Sequence, residues 1–215
     1  MPQSTAPPPS PESLTASQFA RRERIVRVAL KLLVNGDYEK IQMKDVAEGS
    51  DVALGTVYRY FTSKEHLFAA VQLEWVKSLH RQILKHPPAG NSNLGRLSQV
   101  LHQSVRAFQT QPQFYRVLLV LEVTKDPFAK ELYEVMARET EATYLESVSG
   151  LDPKTASNLL GVVQAVLGAQ LRSWVLGRQS IDEVKQNLDA ALCLLFTYQD
   201  EASFDGASRA GSRPS

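Results

Sequence analysis

The densest chemistry in this sequence lies in SDVALGTVYRYFTSKEHLF, Ser50 to Phe68. Arg59 carries a planar fork of N–H donors that can pair two acceptors at once. Tyr58 and Tyr60 flank it with hydroxyls that can reach phosphate oxygens. Thr56 adds another hydroxyl on the outward side, and Lys64 a point charge at the start of the next segment. Gly55 offers bare backbone, which lets another molecule approach closely. Tyr58, Arg59, Tyr60 and Phe61 follow one another without a break. A helix spreads its core residues three or four apart, so some of these side chains are aimed outside the domain.

Short helices must position them. FARRERIVRVALKLLVNGDYEKI places Ile25, Ala29, Leu32 and Leu33 on one apolar face, and Gly36 stops that helix. QMKDVAEGS predicts a second, short helix with Met43, Val46 and Ala47 inward; a third covers Ala53 to Phe61. Asp51 in the intervening SDV tolerates a left-handed turn. Two short helices across a tight turn, supported by a third, form a helix-turn-helix, whose second helix enters the major groove. Val57 and Phe61 then face the small core with Val46 and Val52. Ser63 caps a long fourth helix with Leu67, Val71, Trp75, Leu79 and Ile83 in its stripe, ending at Pro87.

Beyond the PPAGNSN linker the pattern stays helical. Helices are predicted over Leu97–Gln111, over Phe114–Thr124, and from DPFAKEL to about Val148. Asp152 and Pro153 open another that runs to about Leu176. Ser180 and Glu183 form a capping box for the last. The fold class is all-α, with about nine helices.

Composition bounds the function. The chain has 215 residues and a net charge of +1. From Ser17 to His86 it holds 12 Lys/Arg against 8 Asp/Glu, and from Pro87 onward 12 against 14. That is a mildly basic head on a neutral or acidic body, suited to a polyanion. The one cysteine, Cys193, excludes an internal disulfide and sits in LDAALCLLF, where it reads as a small core residue. MPQSTAPPPSPESLTA has neither a basic start nor an apolar run, and no stretch approaches the length of a membrane span. A cytoplasmic protein without a membrane partner is expected. His66, His80, His86 and His102 show no metal-ligand spacing, and no nucleophile elbow or phosphate loop occurs. No catalytic residue, metal or cofactor is expected.

VAEGSDVALGTVYRYFTSKEHLF resembles the recognition region of the TetR family of bacterial transcriptional regulators. The likeness runs from Ile25 and Gly36 through Val46, Gly55, Tyr58 and Phe61 to Lys64 and Leu67. It implies DNA contacts by Gln42, Lys44, Leu54, Gly55, Thr56, Tyr58, Arg59, Tyr60 and Lys64. The chain departs from the usual pattern at Gln42, Asp51 and Ala53, where threonine, glycine and serine are common. QMKDVAEGSDVALGTVYRYF and RQSIDEVKQNLDAALCLL are also similar to KstR-type repressors of steroid degradation, whose effectors are steroid-derived acyl-CoA thioesters. The expected organisation is a tail (1–16) disordered by its proline- and serine-rich composition, a helix-turn-helix domain (17–62), a connecting helix (63–86), an effector-binding and dimerisation domain (87–200) and a second disordered tail (201–215).

Bulky residues of the later helices are explained one by one as core. The functional reading is that some line an apolar effector cavity: Phe108, Tyr115, Leu118, Leu119, Glu122, Tyr133, Met136, Tyr144, Leu171 and Trp174. Gly161, Ala165 and Gly168, with Leu188, Leu192 and Leu195, suit a four-helix homodimer interface, or else packing within one subunit. The expected function is a ligand-responsive repressor that binds a palindromic double-stranded operator as a homodimer and is released by an apolar small molecule. The alternative is a constitutive DNA-organising protein with the same head and no ligand pocket.

Overall fold

Thr15 opens the first helix, α1 (Ala16–Val34), with a reciprocal cap. Its Oγ1 accepts the Gln18 N–H at 3.4 Å, and the Gln18 side chain accepts the Thr15 N–H at 3.0 Å. The computed structural model describes residues 7–210, with side chains through 197. Short 3-10 turns at Pro11–Ser13 and Tyr38–Lys40 flank α1. Then follow α2 (Met43–Gly49), α3 (Leu54–Tyr60), α4 (Lys64–Lys85), α5 (Asn93–Thr110), α6 (Pro112–Glu122), α7 (Pro127–Leu145), α8 (Pro153–Val175) and α9 (Ile181–Ala210). The fold is all-α: nine α-helices and no strand among the described residues.

The expected caps form. Ser63 Oγ accepts the His66 N–H at 2.9 Å, and Asp152 accepts from Lys154 and Thr155, both at 3.1 Å. The Ser180 N–H donates to Glu183 at 2.6 Å, and Glu183 N–H returns to Ser180 Oγ at 3.2 Å. The tails differ from expectation where they are described. Residues 11–13 form a turn, and α9 continues to Ala210 instead of ending at 200. Residues 1–6 and 211–215 of the expected tails lie outside the described span.

The chain separates into two compact units whose borders cut across the expected domains. The first contains the chain up to Gln82 together with Ala107–Thr140. Aromatic packing is the reason. Trp75 of α4 stacks on Phe114 of α6 with centroids 4.7 Å apart and lies 4.9 Å from Phe108. Its Nε1 donates to Gln111 at 2.7 Å. Leu73, Val76 and Met136 form a buried cluster with Leu118, Leu132, Tyr133 and Val135 against it. The α6 start also meets the α1 end, where Gln113 Nε2 donates to the Val34 carbonyl at 3.3 Å.

The second unit holds Ile83–Arg106 and the chain from Glu141 onward. Its core joins Leu159, Leu160, Val163, Leu167 and Leu171 of α8 to Val184, Leu188 and Leu192 of α9. Leu188 and Leu192, expected at a dimer interface, are 1% and 2% exposed. They continue the Val184 stripe into the subunit interior and have no surface to give a partner. Cys193, expected in the core, is exposed. One residue past Leu192 turns it about 100° off that stripe.

Candidate nucleic-acid interface

The turn between α2 and α3 is built as the sequence implies. Asp51 has φ 51°, the one non-glycine residue with positive φ among those described. Its backbone lets the Val52 N–H reach back to the Ala47 carbonyl at 3.1 Å, closing the end of α2. Gly49 permits α1 and α2 to touch, since an added Cβ would lie 2.8 Å from Val28 Cγ1. Val46, Val57 and Phe61 are wholly buried and clamp α3 to this base, with Val52 half-buried beside them. Arg22 of α1 lies over the Phe61 ring at 5.1 Å from its centroid.

With that face anchored, α3 turns Leu54, Gly55, Tyr58 and Arg59 to solvent, and Thr56 is half-buried. An added Cβ at Gly55 would meet nothing within 4 Å, so nothing in the fold requires a glycine there. Gln42 and Lys44 are exposed at the start of α2. The Gln42 N–H donates to the Asp45 carboxylate at 2.8 Å, which fixes that entry. Ala53, where serine is common, leaves α3 without a side-chain cap.

Two expected contacts need correction. Tyr60 is 2% exposed, and its hydroxyl is buried without a hydrogen-bond partner among the described residues. It lies three residues after Val57 and therefore on the same inward face; it presents nothing to a phosphate. Lys64 is half-buried, not a free surface cation. Its Nζ donates to the Tyr38 carbonyl, reaches the Glu39 carbonyl at 3.5 Å, and sits 4.0 Å from the Tyr38 ring centroid. Burial lowers its pKa against the opposing pull of Glu39. Lys64 thus ties α4 to the turn after α1.

The corner after α3 contains residues that sequence reading missed. Thr62 Oγ1 donates to Asp126 Oδ2 at 2.9 Å. Asp126 Oδ1 accepts the Phe128 and Ala129 N–H groups at 2.9 and 3.0 Å, capping α7. His66 is 6% exposed, with Nδ1 accepting the Thr62 N–H at 3.2 Å and its ring stacked on Phe128 at 5.5 Å. Burial drives the His66 pKa down to about 4, with Asp126 opposing and Arg22 assisting. Burial raises the Asp126 pKa, but hydrogen bonds from Ser63, Ala129 and Thr62, with His66 adding, hold it below the usual range. The recognition-helix exit is thereby bonded to α7. The local signal was Asp-Pro at 126–127, a helix-start pair; its partner Thr62, 64 residues earlier, had none.

The expected effector residues fall in both units. Phe108, Tyr115 and Met136 are buried in the first, and Leu118, Leu119 and Tyr133 half-buried there. Glu122 is exposed on α6, so it does not supply an interior polar contact. Tyr144 and Leu171 are buried and Trp174 half-buried in the second unit. Tyr144 Oη donates to Ser104 Oγ at 3.2 Å. Of the expected interface residues, Gly161 and Ala165 are exposed, and Gly168 and Leu195 half-buried. An open cleft of about 810 Å³ lies elsewhere, within the head between α1, the turn after it and α2, with Lys31, Asp37, Lys40 and Asp45 in its lining. No group of three metal-ligating side chains occurs among the described residues, and no described helix is long and apolar enough to cross a membrane.

Known proteins carry this arrangement. Residues 25–71 match the family described as bacterial regulatory proteins, tetR family. The HTH-type transcriptional repressor KstR of Rhodococcus jostii (strain RHA1) is 31% identical over 181 residues, 83% of this chain and 84% of that protein. Among solved structures, a TetR transcriptional regulator from Rhodococcus sp. RHA1 superposes with a TM-score of 0.73 at 24% identity, covering 83% of this chain and 97% of that one. The FadR regulator of Bacillus subtilis, solved with stearoyl-CoA, superposes with a TM-score of 0.61 at 15% identity, over 80% and 96%. With its helix-turn-helix head intact and a repressor alike along most of its length, the chain belongs to the TetR family of bacterial regulatory proteins.

Proposed function

We propose that the protein is a homodimeric transcriptional repressor that binds a palindromic operator in the cytoplasm and releases it on binding an apolar acyl-CoA-type effector. One observation carries the DNA reading. The outward face of α3 exposes Leu54, Gly55, Tyr58 and Arg59, and nothing in the fold requires a glycine at Gly55. Arg59 reads a base and Tyr58 holds a phosphate, while Gln42, Lys44 and Thr56 border the same face. The repressor name of the KstR relative supports the direction of control.

Dimerisation through the outer faces of α8 and α9 is supported by what they expose. Val162 and Leu194 are 48% and 74% exposed, and Gly161 and Ala165 beside Val162 permit close helix approach. Added Cβ atoms at Gly161 and Gly168 meet nothing within 4 Å, so packing within the described chain does not require either glycine. A palindrome read by such a dimer has half-sites ~34–36 Å apart. The effector class is supported by the likeness to KstR-type repressors, and FadR, with the same fold, was solved with stearoyl-CoA. To move operator occupancy from nearly full to nearly empty, the effector must favour the non-binding shape by ~5.5 kcal/mol.

Selection of bound sites from a random DNA pool by the purified protein tests this. The expected result is a palindrome whose affinity falls when palmitoyl-CoA or a steroid-derived acyl-CoA is added. Binding without sequence preference, governed by salt alone, would instead make the protein a DNA-organising one.

A further inference from the structure

The exposed face of α3 consists of two ridges. At ~100° per residue, Leu54 and Tyr58 stand ~40° apart on one, and Gly55 and Arg59 ~40° apart on the other. Val57 and Tyr60 are buried and Thr56 is half-buried, so these ridges make up the outward side of the helix. The Gly55–Arg59 ridge is bare at one end and charged at the other. The Leu54–Tyr58 ridge is apolar for most of its area, with Leu54 40% exposed and Tyr58 43%.

A lone exposed leucine is ordinary on a protein surface. Leu54 differs in its place. It is the first residue of α3, and the N-terminal residues of a recognition helix are the ones that meet base edges. Side chains that hold phosphates are cations, hydroxyls and amides, and leucine is none of these. It can hydrogen-bond no group of the duplex and is stabilised only by shedding water against another apolar group. The major groove offers one such group, the C5-methyl of thymine. Packing of α3 on its base is supplied by Val46, Val57 and Phe61, all wholly buried, and does not need Leu54. Gly55, next along the chain, has no side chain to keep the helix away from the groove floor.

We propose that Leu54 is a specificity-determining residue that packs on a thymine methyl in each half-site of the operator. Arg59, on the neighbouring ridge, takes a guanine through its paired acceptors. Each half-site therefore contains two bases read by different physics: the guanine by hydrogen bonds, the thymine by burial of a methyl group. The proposal rests on the reading of the protein as an operator-binding regulator and names part of the sequence that the operator must have.

The test uses the full-length protein and the operator recovered by selection from a random DNA pool. The operator is resynthesised with deoxyuridine for thymidine at one symmetric pair of positions at a time. Uracil pairs as thymine does and lacks only the methyl group. Wild type is expected to lose about fourfold per half-site at one such pair, or ~15-fold for the palindrome, and little at the others. Leu54→Ser is expected to bind the thymine and uracil forms of that operator within about twofold of each other, because a hydroxyl does not distinguish them. It should keep its preference for the guanine and melt within ~2 °C of wild type, since the side chain removed is partly exposed.

Wild type that binds every uracil form as tightly as the thymine form overturns the proposal. A Leu54→Ser protein that still prefers thymine at the sensitive pair does so too, because another side chain then reads the methyl. Unchanged operator affinity in Leu54→Ser also sinks it and leaves the exposed leucine to a protein partner. All three outcomes leave the regulator standing, since an operator has been recovered. Selection by wild type that yields no preferred sequence sinks the regulator reading itself, and the role of Leu54 with it.

Discussion

The outer face of α3 and the corner that follows it are adjacent in sequence and opposite in character. On α3, Tyr58 and Arg59 point to solvent, and Gly55 faces open space. At the corner, Thr62, His66 and Asp126 find partners in one another or in the backbone of α7. The contrast separates two kinds of polar residue. Those that the fold satisfies position the helix, and those it leaves outward are free to meet DNA. Tyr60 shows that residue type does not decide the matter, because it has the same side chain as Tyr58 and lies on the inner face.

The largest effect is expected at the corner. Asp126→Ala removes the cap of α7 and the Thr62 partner together, and should destabilise the protein by about 2 kcal/mol. It should weaken operator binding as well, because α3 loses its fixed exit. Thermal unfolding alongside DNA titration checks both. Unchanged stability would mean that the corner does not position α3.

The outer face should behave in the opposite way. Arg59→Ala is expected to keep its melting temperature and lose operator discrimination equivalent to about 1–3 kcal/mol. Tyr60→Phe should change operator affinity by less than about twofold, because the hydroxyl it removes is buried and unpaired. Competition between operator and mismatched duplexes measures both. A large loss in Tyr60→Phe would place that hydroxyl at the DNA and break the distinction between the two faces.

The smallest effect is a pH dependence. His66 is depressed to about 4 by burial, so between that value and its ordinary 6.5 the unfolded chain binds the extra proton. The stability associated with neutral His66 is complete above pH 6.5 and is lost as pH falls toward 4. The lowered Asp126 carboxyl pushes in the same direction at more acidic pH. Protonating Nδ1 would also end its acceptance of the Thr62 N–H. The melting temperature should therefore drop across this range, and less so in His66→Gln. Equal slopes in both proteins would show that His66 is not the group responsible.

Much of the fold was legible without coordinates, for local reasons. Apolar residues recur at helical spacing, and Ser63, Asp152 and Ser180 stand where helix starts need an acceptor. The αL turn at Asp51 was likewise foreseeable from its place between two short helices. Less legible were faces that depend on what lies opposite. Cys193 sits in an apolar run and is exposed, whereas Leu188 and Leu192 close the α8–α9 core.

The sequence by itself determined the all-α class, the capped starts of α4, α8 and α9, the helix-turn-helix and the outward placement of Arg59. Each depends on residues within a turn or two of one another, where backbone geometry leaves few choices. Only the tertiary structure decided that Lys64 is held by the carbonyls of Tyr38 and Glu39, and that Thr62 meets Asp126. It also decided that Gln72 is buried with no protein partner among the described residues. Those facts depend on which distant helix packs alongside, and periodicity along one helix does not encode the identity of its neighbour.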